Sequence, residues 1–129
     1  MANRPLSPHV FVYRFAYTMA LSILHRITGL LLTMGLLLLV VFLASVANGE
    51  ASYSAFRAFA GSIGGRLLVA AFLISFCYHL ANGIRHLFWD MGFGMERAQA
   101  RRSGTVVVAV TLIAAALVLW RVFASGVAS

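Results

Sequence analysis

The stretch ITGLLLTMGLLLLVVFLASVA, residues 27–47, decides the fold of this 129-residue chain. It carries no charge, and at about 1.5 Å per residue a helix of this length crosses the roughly 30 Å hydrocarbon core of a bilayer. Two further apolar runs follow along the chain. We therefore predict an all-α integral membrane protein, a single transmembrane anchor domain over residues 1–129, with spans at about residues 25–47, 67–91 and 104–124.

The composition supports a membrane protein and excludes most soluble classes. Hydrophobic residues make up 62% of the chain, and 10 arginines stand against 3 acidic residues, for a net charge of +7. So few polar groups cannot cover a water-soluble globule. The arginines lie beside or between apolar runs, so no basic stripe on a soluble face indicates nucleic acid. The one cysteine, Cys77, is expected to be a small buried residue.

The distribution of arginine predicts the topology. By the excess of positive charge on cytoplasmic loops, the N-terminus is expected on the cytoplasmic side. We expect an interfacial segment at residues 11–24, an exposed loop at residues 50–66 with a short interfacial helix near 53–59, and a basic loop at residues 92–103. Because residues 1–9 resemble neither a signal nor a transit peptide, a bacterial cytoplasmic membrane is favoured over the mitochondrial inner membrane. The arginines expected on the cytoplasmic side are those at positions 4, 14, 26, 85, 97, 101 and 102, and those at positions 57, 66 and 121 are expected opposite.

Polar residues inside the spans are the functional candidates, because such residues are costly in lipid unless they face a partner or a cofactor. They recur at helical spacing, which puts each set on one helix face. The stripe on the second span is Ser75, His79, Gly83, His86 and Asp90, and the stripe on the first span is Ser22, His25, Arg26, Gly29 and Thr33.

Histidine followed by glycine one turn later is typical of a haem site, since imidazole ligates iron and glycine leaves room for the macrocycle. His79 and His86 lie about 10 Å apart along one face, so they cannot grip one iron from opposite sides. Within this chain only His25 could approach His86, and nothing is expected to face His79. If His79 is the ligand, its opposite ligand lies on another chain. The alternatives are that the histidines hydrogen-bond between helices and that Gly29 and Gly83 only allow close packing. Asp90 is expected to be a charge partner of Arg85.

Three motifs carry a resemblance to the cytochrome b subunit of succinate dehydrogenase, the large membrane anchor of respiratory complex II. Their order and spacing, and the three-span layout, cover essentially the whole chain. The motifs are Arg4-Pro5-Leu6-Ser7-Pro8-His9, the S-x-x-H-R segment from Ser22 to Gly29, and the segment from His79 through Gly83-Ile84-Arg85-His86 to Asp90 and Gly92.

The resemblance implies a subunit that docks a flavoprotein and an iron-sulfur protein, pairs with a second small membrane anchor, and takes part in reducing ubiquinone. It implies that His79 is an axial ligand of haem b, with the other ligand on the partner anchor. It also implies that Ser22 and Arg26 line the quinone site and that His25, Arg26 and His86 lie near the haem propionates. No residue of this chain is expected to be catalytic toward succinate, which is the task of the flavoprotein.

Two other classes of function are compatible with polar stripes. A structural or assembly membrane protein would use them only to pack helices. A small transporter with a proton relay is disfavoured, because the polar residues gather toward one side of the membrane and form no through path.

Overall fold

The computed structural model describes residues 16–124, and all the regular structure in that range is helical. The helices are α1 (Tyr17–Ala47), α2 (Glu50–Gly61), α3 (Ile63–Asp90) and α4 (Arg97–Ala124). Of these, α1, α3 and α4 are long and apolar enough to cross a membrane. The prediction of an all-α protein with three spans is confirmed.

The long helices continue past the predicted spans at both interfaces. α1 begins at Tyr17 and runs without a break through the later part of the expected interfacial segment, whose residues 11–15 lie outside the described range. α4 begins at Arg97, so much of the expected basic loop is helical. The reason is that a helix satisfies its own backbone hydrogen bonds whether lipid or the headgroup layer surrounds it, so the change from apolar to basic residues does not end it.

The link between the first two spans is short and mostly helical. Gly49, at a φ of 93°, ends α1 and turns the chain into α2, which contains the short helix predicted within this loop. Ser62 then separates α2 from α3 and caps α3 by accepting a hydrogen bond from the backbone N–H of Gly65 at 3.1 Å. The expectation that Gly64 and Gly65 belong to an exposed loop is wrong, because both lie in the first turn of α3.

Close packing explains why one of these two residues is glycine. A Cβ atom on Gly65 would collide with the backbone of α2 at Phe59 and Ala60, whereas a Cβ on Gly64 would meet only the Ser62 hydroxyl, at 4.0 Å. The absence of a side chain at Gly65 therefore allows α2 to fold back against the start of α3.

α3 is the central helix, packed against both α1 and α4. A small core of Leu21, Tyr78 and Val107 joins the three long helices, and the Tyr78 hydroxyl donates to the Leu21 carbonyl at 2.6 Å. A Cβ atom at Gly104 would lie 2.6 Å from the Leu21 side chain, so the small residue lets α4 approach α1. Most large apolar side chains on the outside remain exposed, as suits helices that face lipid or other subunits.

Candidate functional site

Three histidines from two helices form a row near the start of α1 and the end of α3. His25 on α1 lies between the two histidines of α3. Its ring stacks on that of His79 at a centroid distance of 3.9 Å and an interplanar angle of 8°, and its centroid lies 5.0 Å from that of His86. We call His79, His25 and His86, in this spatial order, the histidine row. The structure thus brings together the two predicted stripes at their histidines.

The expectation that nothing in this chain faces His79 is wrong, because His25 covers its ring. The physical reason is the absence of a side chain at Gly29. A Cβ atom there would lie 3.0 Å from Cε1 of His79, so only glycine gives the imidazole this much room against α1. The close approach sets His25, one turn earlier on α1, at the depth of His79.

The two candidate glycines therefore differ in what they do. The space in front of Gly29 holds the His79 imidazole, as the close-packing alternative predicts. A Cβ atom on Gly83 would make only an ordinary contact, 3.8 Å from Cε1 of His25. Packing among residues 16–124 does not require glycine at position 83.

Hydrogen bonds fix the orientation of the His79 ring and indicate its tautomer. Its Nδ1 lies 3.2 Å from the carbonyl oxygen of His25 and 3.3 Å from Oγ1 of Thr28. The carbonyl can only accept, and the Thr28 hydroxyl already donates to the backbone of α1, at 2.9 Å to the Leu24 carbonyl. Nδ1 of His79 therefore carries the proton, and the lone pair lies on Nε2.

The other two histidines have nitrogens that residues 16–124 leave unpaired. Nδ1 of His25 and Nε2 of His86 are buried, and neither has a hydrogen-bond partner among the described residues. A buried polar nitrogen without a partner is costly, so these two atoms call for a polar group from outside the described residues.

The geometry of the row bears on the alternative in which His25 and His86 clamp one iron. A metal–imidazole bond is about 2 Å long, so two imidazoles on opposite sides of a metal have centroids more than about 6 Å apart. The observed separation of 5.0 Å is too short for such a clamp. Stacking likewise prevents His25 and His79 from gripping one iron between them. Within residues 16–124, no group of three or more histidine, cysteine or acidic residues is arranged to hold a bare metal ion.

The predicted quinone residues lie on α1, one turn apart and next to the histidine row. Ser22 is half-buried, and Arg26 is exposed. In the described part of the chain the Ser22 hydroxyl makes no hydrogen bond, whereas Thr28 and Thr33 on the same helix bond back to backbone carbonyls. Arg26 is therefore accessible from outside the described helices, and the half-buried Ser22 hydroxyl has no hydrogen-bond partner among them.

A buried polar cluster that the sequence pattern did not predict lies on the neighbouring face of α3. Asn82 is completely buried, and Arg85 is only 5% exposed. Arg85 donates from Nε to Oγ of Ser103 at 2.9 Å, from Nη1 to Oδ1 of Asn82 at 3.2 Å, and from Nη2 to the Ala100 carbonyl at 2.8 Å. Asp90 is exposed, and the three hydrogen bonds of Arg85 go to other residues. The expected pairing of Asp90 with Arg85 is therefore not seen among the described contacts.

A signal for this cluster is present in the sequence. Tyr78, Asn82, Arg85 and Trp89 follow one another at steps of four, three and four. This is the spacing of the stripe from His79 to Asp90, shifted by one residue. The stripe with Arg85 faces into the chain, and the stripe with His79 lies along its half-buried edge.

These features define a class of protein. It is an all-helical membrane subunit whose polar residues gather in one row at its edge. Residues 1–118 match the family described as the succinate dehydrogenase/fumarate reductase transmembrane subunit, and the chain belongs to this family. The resemblance noted from the sequence motifs is thereby confirmed.

Relatives from bacteria and from animals agree. The chain is 35% identical to the succinate dehydrogenase cytochrome b556 subunit of Paracoccus denitrificans, over 91% of this chain and 90% of that protein. It is 38% identical to the cytochrome b556 subunit of Rickettsia prowazekii (strain Madrid E), over 92% and 91%. It is 40% identical to the mitochondrial cytochrome b560 subunit of Bos taurus, over 86% of this chain and 67% of that protein.

Proposed function

We propose that this chain is the haem- and quinone-binding anchor of a succinate:ubiquinone oxidoreductase. In this role His79 would ligate the iron of haem b, and a second anchor subunit would supply another ligand. Ser22 and Arg26 form part of the ubiquinone-reduction site. The family membership supports the anchor role, and the observation that carries the haem proposal is the hydrogen bonding of Nδ1 of His79.

A haem-ligating histidine needs a free Nε2 lone pair and a fixed ring plane. The His25 carbonyl and the Thr28 hydroxyl meet both needs for His79, since each accepts from Nδ1. Such a bond on the far nitrogen also raises the basicity of the ligating nitrogen. The half-buried position of His79, at the edge of this chain, leaves its iron-binding side for a site shared with another subunit. The cofactor would supply one-electron transfer there.

The unpaired nitrogens of His25 and His86 fit the haem propionates. Each is a buried nitrogen that lacks a partner in the described chain, and a carboxylate oxygen accepts from an imidazole N–H. Arg26, exposed one residue after His25, would add a charge-assisted bond at the same edge.

Ser22 and Arg26 are suited to a quinone because they combine a free hydroxyl with a permanent positive charge. The hydroxyl can donate to a quinone carbonyl, and the guanidinium stabilises the negative charge that develops as the quinone is reduced. Both side chains lie within one turn of His25, so the quinone and the haem edge would be near each other. Protons come from water at the membrane surface.

The remaining parts of the proposal follow from the role of an anchor. The chain acts as one domain over residues 1–129, lies in a bacterial cytoplasmic membrane, and has its N-terminus in the cytoplasm. A flavoprotein oxidises succinate, and an iron-sulfur subunit passes the electrons on to the quinone. The polar N-terminal segment with Arg4 and Pro5 is the docking strip for the iron-sulfur subunit.

The visible spectrum of the purified complex tests this function against the structural alternative. We expect a reduced-minus-oxidised difference spectrum with the bands of a b-type haem, at one haem per flavin. A complex that contains this chain and oxidises succinate, but shows no such bands, would leave the structural role as the better description.

The quinone site is tested by Ser22→Ala and Arg26→Ala. Loss of the hydroxyl is expected to raise the quinone KM or lower turnover by about tenfold, and loss of the guanidinium by more, since a charged hydrogen bond is worth about 1.5–3 kcal/mol. Succinate oxidation with a soluble artificial acceptor should stay at the wild-type rate in both variants. Equal loss of both activities would indicate failed assembly and not a role at the quinone.

A further inference from the structure

Arg85 is a permanent charge inside a membrane-spanning helix, and the proposed function gives it no task. It is 5% exposed, and its three hydrogen bonds join it to Asn82 on its own helix and to Ser103 and Ala100 on α4. The planar guanidinium suits this arrangement, because its donors point in fixed directions that a lysine ammonium cannot reproduce. The position of the guanidinium carbon is therefore set from several sides.

The fixed guanidinium also holds Trp89. Its central carbon lies 4.0 Å from the centre of the Trp89 ring, a cation–π contact in a desolvated setting. The indole N–H donates to the Gly94 carbonyl at 3.1 Å, which holds the ring at its other side. Trp89 is thus fixed between the arginine and the link to α4.

Trp89 in turn touches the end of the histidine row. The rings of Trp89 and His86 meet edge to face, with centroids 5.1 Å apart and an interplanar angle of 87°. His86 makes the next contact with His25, which stacks on His79. A continuous series of ring contacts therefore runs from the Arg85 guanidinium to the His79 imidazole.

We propose that Arg85 is a positioning residue: anchored on α4, it holds Trp89 against His86 and so fixes the orientation of the histidine row. The inference rests on the proposed function in that the row serves the haem and the quinone. It differs from a simple clamp between α3 and α4, which would need only the bonds to Ser103 and Ala100 and would act equally without Trp89.

The test compares four variants in the full detergent-purified complex: Arg85→Gln, Arg85→Lys, Trp89→Leu and the double variant Arg85→Gln with Trp89→Leu. Ser103→Ala is the matched control, because it removes one bond of the clamp and leaves the stack on Trp89. Thermal inactivation of the complex is followed in each variant, together with two further quantities. One is the largest g value of the oxidised low-spin haem, which depends on the orientation of the axial imidazole, and the other is succinate-to-quinone turnover.

Positioning through Trp89 predicts a specific pattern. Arg85→Gln and Trp89→Leu each shift the g value and lower turnover by about twofold to thirtyfold, the range that cation–π contacts span from exposed to desolvated settings. The double variant is no worse than Trp89→Leu, since both changes break the same series of contacts. Arg85→Lys has a smaller effect on the g value and on turnover than Arg85→Gln, because it keeps a cation over the Trp89 ring. Ser103→Ala lowers the thermal stability of the complex and leaves the g value unchanged.

Several outcomes would overturn the proposal. Independent, additive effects of the two changes would show that Arg85 does not act through Trp89, and a g shift in Ser103→Ala as large as in Arg85→Gln would show that the clamp suffices. If Arg85→Gln fails to assemble, the g values of Trp89→Leu and Ser103→Ala are compared instead. An unchanged g value in Trp89→Leu, or an equal shift in both variants, would then contradict positioning through Trp89. Absence of haem from the wild-type complex would refute the proposed function instead. The turnover of the single and double variants would then be the test of Arg85.

Discussion

The two ends of the helix bundle are held together by different kinds of contact. At the end where α1 begins and α3 ends, here called the histidine end, polar groups bridge the helices: Tyr78 bonds to α1, His79 to α1 and Arg85 to α4. At the opposite end, here called the α2 end, aromatic rings and a close glycine contact join the helices, and Nε of Arg66 on α3 donates to the Gly61 carbonyl of α2 at 2.9 Å. Phe42 of α1 lies 5.3 Å from Phe56 and 6.5 Å from Tyr53, both on α2.

The serines sharpen this contrast. At the α2 end, the hydroxyls of Ser45, Ser54 and Ser62 each donate to a carbonyl three residues earlier in the chain, so they satisfy themselves locally. Polar groups that bond between helices require those helices to hold one relative position, whereas local bonds do not. The polar bonds of the histidine end therefore define a relative orientation of the helices, whereas these serines add no bond between helices to the close packing at the α2 end.

The largest effect is expected from His79→Ala. Loss of the only imidazole proposed to bind iron from this chain removes half of the axial ligation, and we expect the haem-to-flavin ratio of the purified complex to fall close to zero. His86→Ala is the comparison: it removes a histidine proposed to contact a propionate but leaves the iron ligand in place, so we expect a smaller loss of haem. Haem at the wild-type level in His79→Ala would assign ligation to another residue.

A change at the α2 end should affect stability but not the haem. Gly65→Ala places a methyl group against the backbone of α2, which cannot yield as a flexible side chain would, and overpacking of this kind costs about 1–3 kcal/mol or more. Gly64→Ala meets only the Ser62 hydroxyl at 4.0 Å and should be neutral or stabilising, since alanine favours a helix by up to about 1 kcal/mol. Thermal inactivation of the complex measures both.

The haem spectrum of these two variants tests whether the ends are independent. We expect wild-type bands in Gly64→Ala and in the fraction of Gly65→Ala that stays assembled. A shifted haem spectrum in Gly65→Ala would mean that the α2 end also sets the orientation of the histidine row, and the contrast between the ends would fail.

Much of the fold follows from the sequence because the signals are strong and local. An apolar run such as residues 27–47 predicts a span by length alone, and the spacing of His79, Gly83 and His86 predicts one helix face. The ends of the helices were less predictable. Gly64 and Gly65 are typical of a loop, yet Gly65 serves a close helix contact, and such a contact depends on where α2 lies.

The sequence indicates which residues could form the candidate site but not how they are arranged. Periodicity gives the face on which His25 lies and does not give its depth relative to His79, which is set by the close approach at Gly29. Arg85 was interpreted as a charge near a helix end, because the pattern of arginines along the chain resembles a topology signal. Its burial depends on the positions of Ser103 and Ala100 on α4, and no pattern within α3 contains that information.

The smallest effect, and the most specific one, is expected from Thr28→Val. The Thr28 hydroxyl is one of two acceptors for Nδ1 of His79, and the His25 carbonyl remains when it is lost. We expect normal haem content and a rise in the haem midpoint potential. The rise follows because a weaker bond to Nδ1 makes the imidazole less basic, and the oxidised iron is then less stabilised. A net hydrogen bond of about 0.5–1.5 kcal/mol sets a ceiling of about 60 mV for one electron.

Thr33→Val is the matched control for this last variant. Thr33 also bonds to a backbone carbonyl four residues earlier on α1, that of Gly29 at 3.0 Å, but it is exposed and is not hydrogen-bonded to the histidine row. Both variants therefore lose a threonine hydroxyl that is bonded to its own helix, and only Thr28→Val loses an acceptor for His79. A potential that moves equally in both would attribute the effect to the helix and not to the ligand. A potential that moves in neither would leave the His25 carbonyl as the sole acceptor that matters for the proposed iron ligand.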